Sequence, residues 1–137
     1  MIRLALVVLL LSACPTGGPK IRYQTTHGIE VAGETIPAQA DVERWTLEVV
    51  NAIGVAACPE LANVTASAAL TMLRYSADRK RAVRLLWQDP PFATGRFLQA
   101  GSGPGFKHEL THSLLDAIGV PWSEAGHHEV MKRCDVP

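Results

Sequence analysis

The sequence has no excess of charge, no long apolar span and few cysteines. Thirteen Lys and Arg balance thirteen Asp and Glu, so the positive surface that holds a phosphate backbone is missing and no nucleic-acid partner is expected. The basic cluster Arg79-Lys80-Arg81, with Arg84, reads as a solvated turn. The apolar run Leu4 to Leu11 falls well short of the roughly twenty residues a membrane-spanning helix needs. With 137 residues the chain has room for one core and not for two. The three cysteines, Cys14, Cys58 and Cys134, take their meaning from the compartment the chain occupies.

That compartment is written at the start of the chain. Arg3, the apolar run and the small pair Ser12-Ala13 ahead of Cys14 have the layout of a secretory signal. Leu11-Ser12-Ala13-Cys14 resembles the lipobox of bacterial lipoproteins. The resemblance implies that residues 1–13 are removed, that Cys14 carries a lipid, and that the mature chain is membrane-anchored in the bacterial cell envelope, in the periplasm or on the outer surface. Pro15-Thr16-Gly17-Gly18-Pro19 makes residues 14–20 a flexible spacer, leaving 21–137 as the folded domain. Export to an oxidising compartment makes Cys58 and Cys134 an expected disulfide; the competing reading is Cys134 as a thiolate metal ligand.

Within the domain, Ile21-Arg22-Tyr23 and Gly28 to Val31 read as short strands. Val42, Trp45, Val49, Ala52 and Ile53 recur at helical spacing, predicting a helix from Ala38 to Ile53 that Gly54 stops. Val64, Ala66, Ala68, Leu70 and Met72 alternate with polar residues, which predicts a strand over Asn63 to Tyr75. Ser76 to Arg81 would turn it into a second strand over Ala82 to Trp87, making an antiparallel hairpin that Asp89-Pro90-Pro91 ends. Arg96-Phe97-Leu98 suits a short edge strand. Pro104 near the start and Gly119 at the end delimit a helix whose apolar stripe is Phe106, Leu110, Leu114, Ala117 and Ile118, and Ser123 would cap a short last helix. The expected fold class is α+β: an N-terminal helix, a short mostly antiparallel sheet, a long helix and a short C-terminal helix.

The chemistry sits on the long helix, in Lys107-His108-Glu109-Leu110-Thr111-His112. Residues four apart share a helix face, so His108 and His112 can direct imidazole nitrogens at one metal ion while Glu109 lies beside it. A catalytic zinc site takes three protein ligands and keeps a fourth position open. The expected cofactor is therefore Zn²⁺, with a third ligand from His127 or His128. His127 is favoured because it shares the apolar face of Val130, Met131 and Cys134, with Glu124 and Glu129 as weaker alternatives. Asp116, one turn beyond His112, is a position from which a carboxylate would orient an imidazole.

Lys107 to Met131 resembles the active-site region of the zincin metallopeptidases, whose signature is HExxH. The metzincin extension would require glycine at 115 and histidine at 118; Leu115 and Ile118 stand there, which excludes that subgroup. The resemblance implies a small zincin-like domain hydrolysing a peptide or protein substrate. In it, His108 and His112 would be ligands and Glu109 the general base for water activated by the metal. The alternative is an envelope lipoprotein that binds metal or a protein partner through such a scaffold without catalysis. Tyr23, Tyr75 and His27 are the groups considered for steadying an oxyanion.

Overall fold

Val42, Thr46, Val49, Val50 and Ile53 are all buried and fall on one face of a 3.6-residue period, so the first long helix forms as the periodicity predicts. The computed structural model describes residues 21–33, 36–78, 84–87, 97–99, 103–121 and 123–137, with 74–78, 84–87 and 97–99 described by their backbone. The signal and spacer expected before residue 21, the basic cluster at 79–81 and the Asp89-Pro90-Pro91 stop lie outside the described residues.

Helix α1 spans Gln39–Val55. It runs through Gly54 instead of stopping there. The glycine serves a different purpose: a Cβ at 54 would lie 2.6 Å from the backbone nitrogen of Ala66, where the next helix begins. That next helix, α2, spans Ala66–Asp78 and replaces the strand expected over Asn63 to Tyr75. Two of the five alternating residues, Ala66 and Ala68, are alanines, which pack weakly in a sheet and favour helix strongly. The buried positions that decide are Ala69 and Leu73, four apart. Thr65 starts the helix, its Oγ1 accepting from the amide of Ala68 at 3.1 Å.

Strand β1 (Ile21–Gln24) and strand β2 (Glu30–Gly33) pair antiparallel. Their connection is closed by Thr25, whose Oγ1 accepts from Ile29 N at 3.0 Å, with Gly28 in the left-handed region at φ 86°. Strand β3 (Arg84–Trp87) then lies parallel to β2, and strand β4 (Phe97–Gln99) parallel to β3, in the order β1-β2-β3-β4. Of the three pairings only β1 with β2 is antiparallel, so the sheet is mixed instead of mostly antiparallel. Once residues 66–78 are helix, no hairpin can join them to β3. The chain instead crosses from β2 through α1 and α2 before returning, and such a crossover produces parallel pairing. Val31 and Ala32 of β2 are both fully buried although they point to opposite faces, which suits an interior strand.

Helix α3 (Gly103–Ile118) packs on α1 and α2 through Phe106, Leu110, Leu114 and Leu115. Its end is a Schellman motif: Val120 N donates to Leu115 O at 3.0 Å, Gly119 N donates to Asp116 O at 3.1 Å, and Gly119 adopts φ 96°. Helix α4 (Glu124–Cys134) starts where Ser123 Oγ accepts from Gly126 N at 3.0 Å. The domain is thus α+β, with four helices and a four-stranded sheet among the described residues. None of those helices is long and apolar enough to cross a membrane.

The expected disulfide is present: Cys58, after α1, joins Cys134, the last residue of α4, with Cα atoms 5.2 Å apart. Arg133 pairs with Glu60 beside it. Together they hold α4 to the segment between α1 and α2, which fixes the helix that faces the HExxH residues.

Candidate metal centre

The histidines of α3 are presented by a helix anchored on its far side. Leu110 and Leu114 are buried in the core, while His108 and Glu109 are half-buried on the flank that meets α4. Lys107 is held by Glu48 of α1, Nζ to Oε2 at 3.0 Å, and this hydrogen bond is the main reason the Glu48 carboxyl lies below its usual range.

Three imidazole Nε2 atoms converge at the seam between α3 and α4. His108 Nε2 lies 3.1 Å from His128 Nε2 and 3.2 Å from His112 Nε2, and the ligand atoms of all three residues fall within 4.8 Å of one another. Tetrahedral ligands about 2.0–2.1 Å from an ion are separated from each other by about 3.3 Å, so these spacings are compatible with a shared ion. The donor set fits as well, because ligating imidazoles must be uncharged. His112 is 6 % exposed and titrates at about 4, pulled down first by burial and then by His108, His127 and His128. The cluster can hold a metal ion, and the exposed ring of His128 leaves it open towards solvent.

The last helix places its two histidines differently from the sequence expectation. His127 does share the inward face with Val130, Met131 and Cys134, but facing inward carries it past the cluster and into the core, where it is fully buried. Its Nδ1 lies 3.1 Å from Nδ1 of His112 and its Nε2 lies 3.3 Å from the carbonyl of Val120. His128, one residue further round the helix, completes the group. The cluster reaches the surface at the exposed ring of His128, so it is the outward face of α4 that meets His108 and His112. Glu124 and Glu129 are exposed and do not join the group.

Glu109 follows His108 on the same turn. Burial raises its carboxyl above the ordinary range, His108 and His128 oppose that rise, and Glu124 adds to it. The carboxylate is thus coupled by charge to His108 and His128 and is not one of the three members of the group. Asp116 is exposed, and its backbone carbonyl closes the helix; the group that meets the second nitrogen of His112 is His127. The signal for this in the sequence is a histidine in the middle of an apolar stripe, the same feature that favours His127 over His128 there as the third ligand.

Of the groups considered for an oxyanion, Tyr23 donates its hydroxyl to Pro37 O at 2.9 Å, and burial, with Asp41 and Glu43, pushes its phenol up to about 12. His27 lies in the β1–β2 connection, outside the cluster. The side chain of Tyr75 lies outside the described residues. Cys134 is committed to the disulfide and so offers no thiolate. No protein-family model, curated protein or solved structure matches the chain.

Proposed function

We propose that the chain is an exported, lipid-anchored zinc metallopeptidase of the HExxH type. The observation that carries the reading is the convergence of His108, His112 and His128 Nε2 atoms next to Glu109, a carboxylate that touches the cluster electrostatically but is not among its three members. Metal storage has no use for a base held at that position, whereas hydrolysis does.

His108, His112 and His128 would hold zinc, which when bound would supply the Lewis acidity that makes water a nucleophile near neutral pH. The residues of the chain do the rest. Glu109 takes the proton of the attacking water and returns it to the leaving amine, a task suited to a carboxyl that burial raises above its ordinary range. His108 and His112 keep their relative position because the other flank of α3 is packed in the core. His128 keeps its place because the disulfide and the Ser123 cap fix both ends of α4. The same disulfide supports export, since such bonds persist in oxidising compartments. The substrate is then a peptide or protein reached from the anchored surface.

One observation favours the non-catalytic alternative, a metal-binding envelope lipoprotein: the Tyr23 hydroxyl, a natural oxyanion partner, is engaged by Pro37. One experiment separates the two. The purified chain is assayed for zinc content and for cleavage of a mixed peptide pool, beside Glu109→Gln. Catalysis requires about one zinc per chain in both proteins, and cleavage that falls on the order of 10² to 10⁴-fold in the variant. Zinc in both with cleavage in neither leaves the binding protein, and absence of zinc removes both readings.

A further inference from the structure

His127 is fully buried, yet both of its ring nitrogens have polar partners. The protons on this pair of rings can be assigned from the partners alone. A carbonyl oxygen only accepts, so the 3.3 Å contact with Val120 O requires the hydrogen of His127 to be on Nε2. In its neutral form an imidazole carries one ring hydrogen. His127 Nδ1 is therefore an acceptor. The atom it meets at 3.1 Å, Nδ1 of His112, must donate. Neutral His112 then carries no hydrogen on Nε2, which is the atom that approaches His108 Nε2 at 3.2 Å.

Ring geometry agrees with this assignment. The planes of His112 and His127 are 19° apart with centroids separated by 5.3 Å, while the two nitrogens are at 3.1 Å. The rings therefore meet edge to edge, as an N–H···N bond requires, and not face to face.

We propose that His127 is a positioning residue that fixes the tautomer of His112, through a chain from His112 Nδ1–H to His127 Nδ1 and from His127 Nε2–H to the Val120 carbonyl, so that His112 Nε2 carries no hydrogen and can serve as a ligand atom. The inference rests on the metal site proposed above. Ligating histidines generally donate their second nitrogen to a carboxylate, a carbonyl or water. Here a second imidazole is interposed, which passes the constraint from the helix end to the ion without adding a negative charge. The carbonyl that terminates the relay is part of the turn following the Schellman motif, so the geometry of that turn sets the orientation of the ligand.

The test uses the purified chain, His127→Phe and His127→Asn, with folding of each checked by circular dichroism. The asparagine Oδ1 can take over the accepting role of the ring Nδ1; phenylalanine cannot. Zinc affinity, read by competition with a chromophoric chelator, should fall about 10 to 100-fold in His127→Phe and recover substantially in His127→Asn. Long-range ¹H–¹⁵N correlation of the metal-free chain should show His112 protonated on Nδ1, shifting towards the Nε2–H form in His127→Phe. A His112 that is Nε2–H in the folded wild type, or folded variants that bind zinc as tightly as wild type, would overturn the proposal. If the wild type binds no zinc, the metal reading fails, while the tautomer spectrum still decides the role of His127.

Discussion

Gly103, the first residue of α3, lies against the indole of Trp45: a Cβ there would sit 2.7 Å from Cε2 and 2.8 Å from Cζ2. Trp45 also meets Phe106, with ring centroids 5.8 Å apart. The helix that carries the histidines is thus registered against α1 by a close approach that only glycine permits. Gly103→Ala should destabilise the domain by about 1–3 kcal/mol, because the rigid indole has to move. Denaturant titration measures this. Adding Trp45→Ala should remove most of the extra cost of the alanine, and an additive double mutant would contradict the packing argument.

The cluster also predicts which residues zinc content depends on. His108→Ala, His112→Ala and His128→Ala should each lower zinc to near zero at micromolar metal, whereas Glu124→Gln and Glu129→Gln should leave it unchanged. Elemental analysis of the five proteins decides the matter. Full zinc in His128→Ala would place the third ligand elsewhere.

The disulfide closes a span of 76 residues, for which the chain-entropy model gives about 4 kcal/mol. Cys58→Ser/Cys134→Ser should therefore melt at a markedly lower temperature than wild type, and reductant should shift the wild type in the same direction. Because Cys134 ends the helix that bears His128, zinc affinity should fall in parallel. A large loss in melting temperature with undiminished zinc affinity would show that α4 holds its place without the bridge.

Acid should weaken the metal-free fold through His112. In the unfolded chain this imidazole takes its proton near its ordinary value of 6.5, while in the fold it does so only at about 4. Between these values the unfolded chain binds a proton that the folded chain refuses, so stability falls as pH falls. The contribution is fully retained above about 6.5. Denaturation midpoints of the apoprotein across this window should drop more steeply for wild type than for His112→Gln. Equal slopes would count against the depressed value.

Removing the hydroxyl that caps α4 should cost about 1 kcal/mol, since Ser123→Ala leaves the Gly126 amide without its acceptor. Gly126→Ala should do comparable harm for a steric reason, as its Cβ would fall 2.5 Å from Ser123 Oγ. Thermal melts of the two variants test this, and an unchanged Ser123→Ala would show that the disulfide end alone positions the helix.

The elements that bear the site were readable because their signals are strong and local. Phe106, Leu110 and Leu114 mark the α3 stripe, Gly119 its end, and Ser123 the start of α4, and all take the positions their chemistry favours. What misled was the segment around Ala66 to Met72, where period-two spacing of small residues resembles a strand. Among the described side chains of α2, only Ala69 and Leu73 are buried deeply enough to reveal the helical period. From that one misreading came the expectation of an antiparallel hairpin, because strand direction depends on what connects the strands. The ordering of His127 and His128 was hidden for another reason. Sequence shows which helix face is apolar, but whether a site lies in the core or along its rim depends on how two helices meet.

The parallel pairing of β2 with β3 sets Glu30 opposite Arg84, with both α1 and α2 intervening in the chain. Such a pairing has high contact order, and its loop-closure entropy is met before any of its hydrogen bonds form. The two helices, whose contacts are local, should therefore assemble first and bring the strands together afterwards. Until then β2, apolar on both faces, presents an unpaired edge to any neighbouring chain. For a newly made chain, that interval is when holding chaperones would matter most.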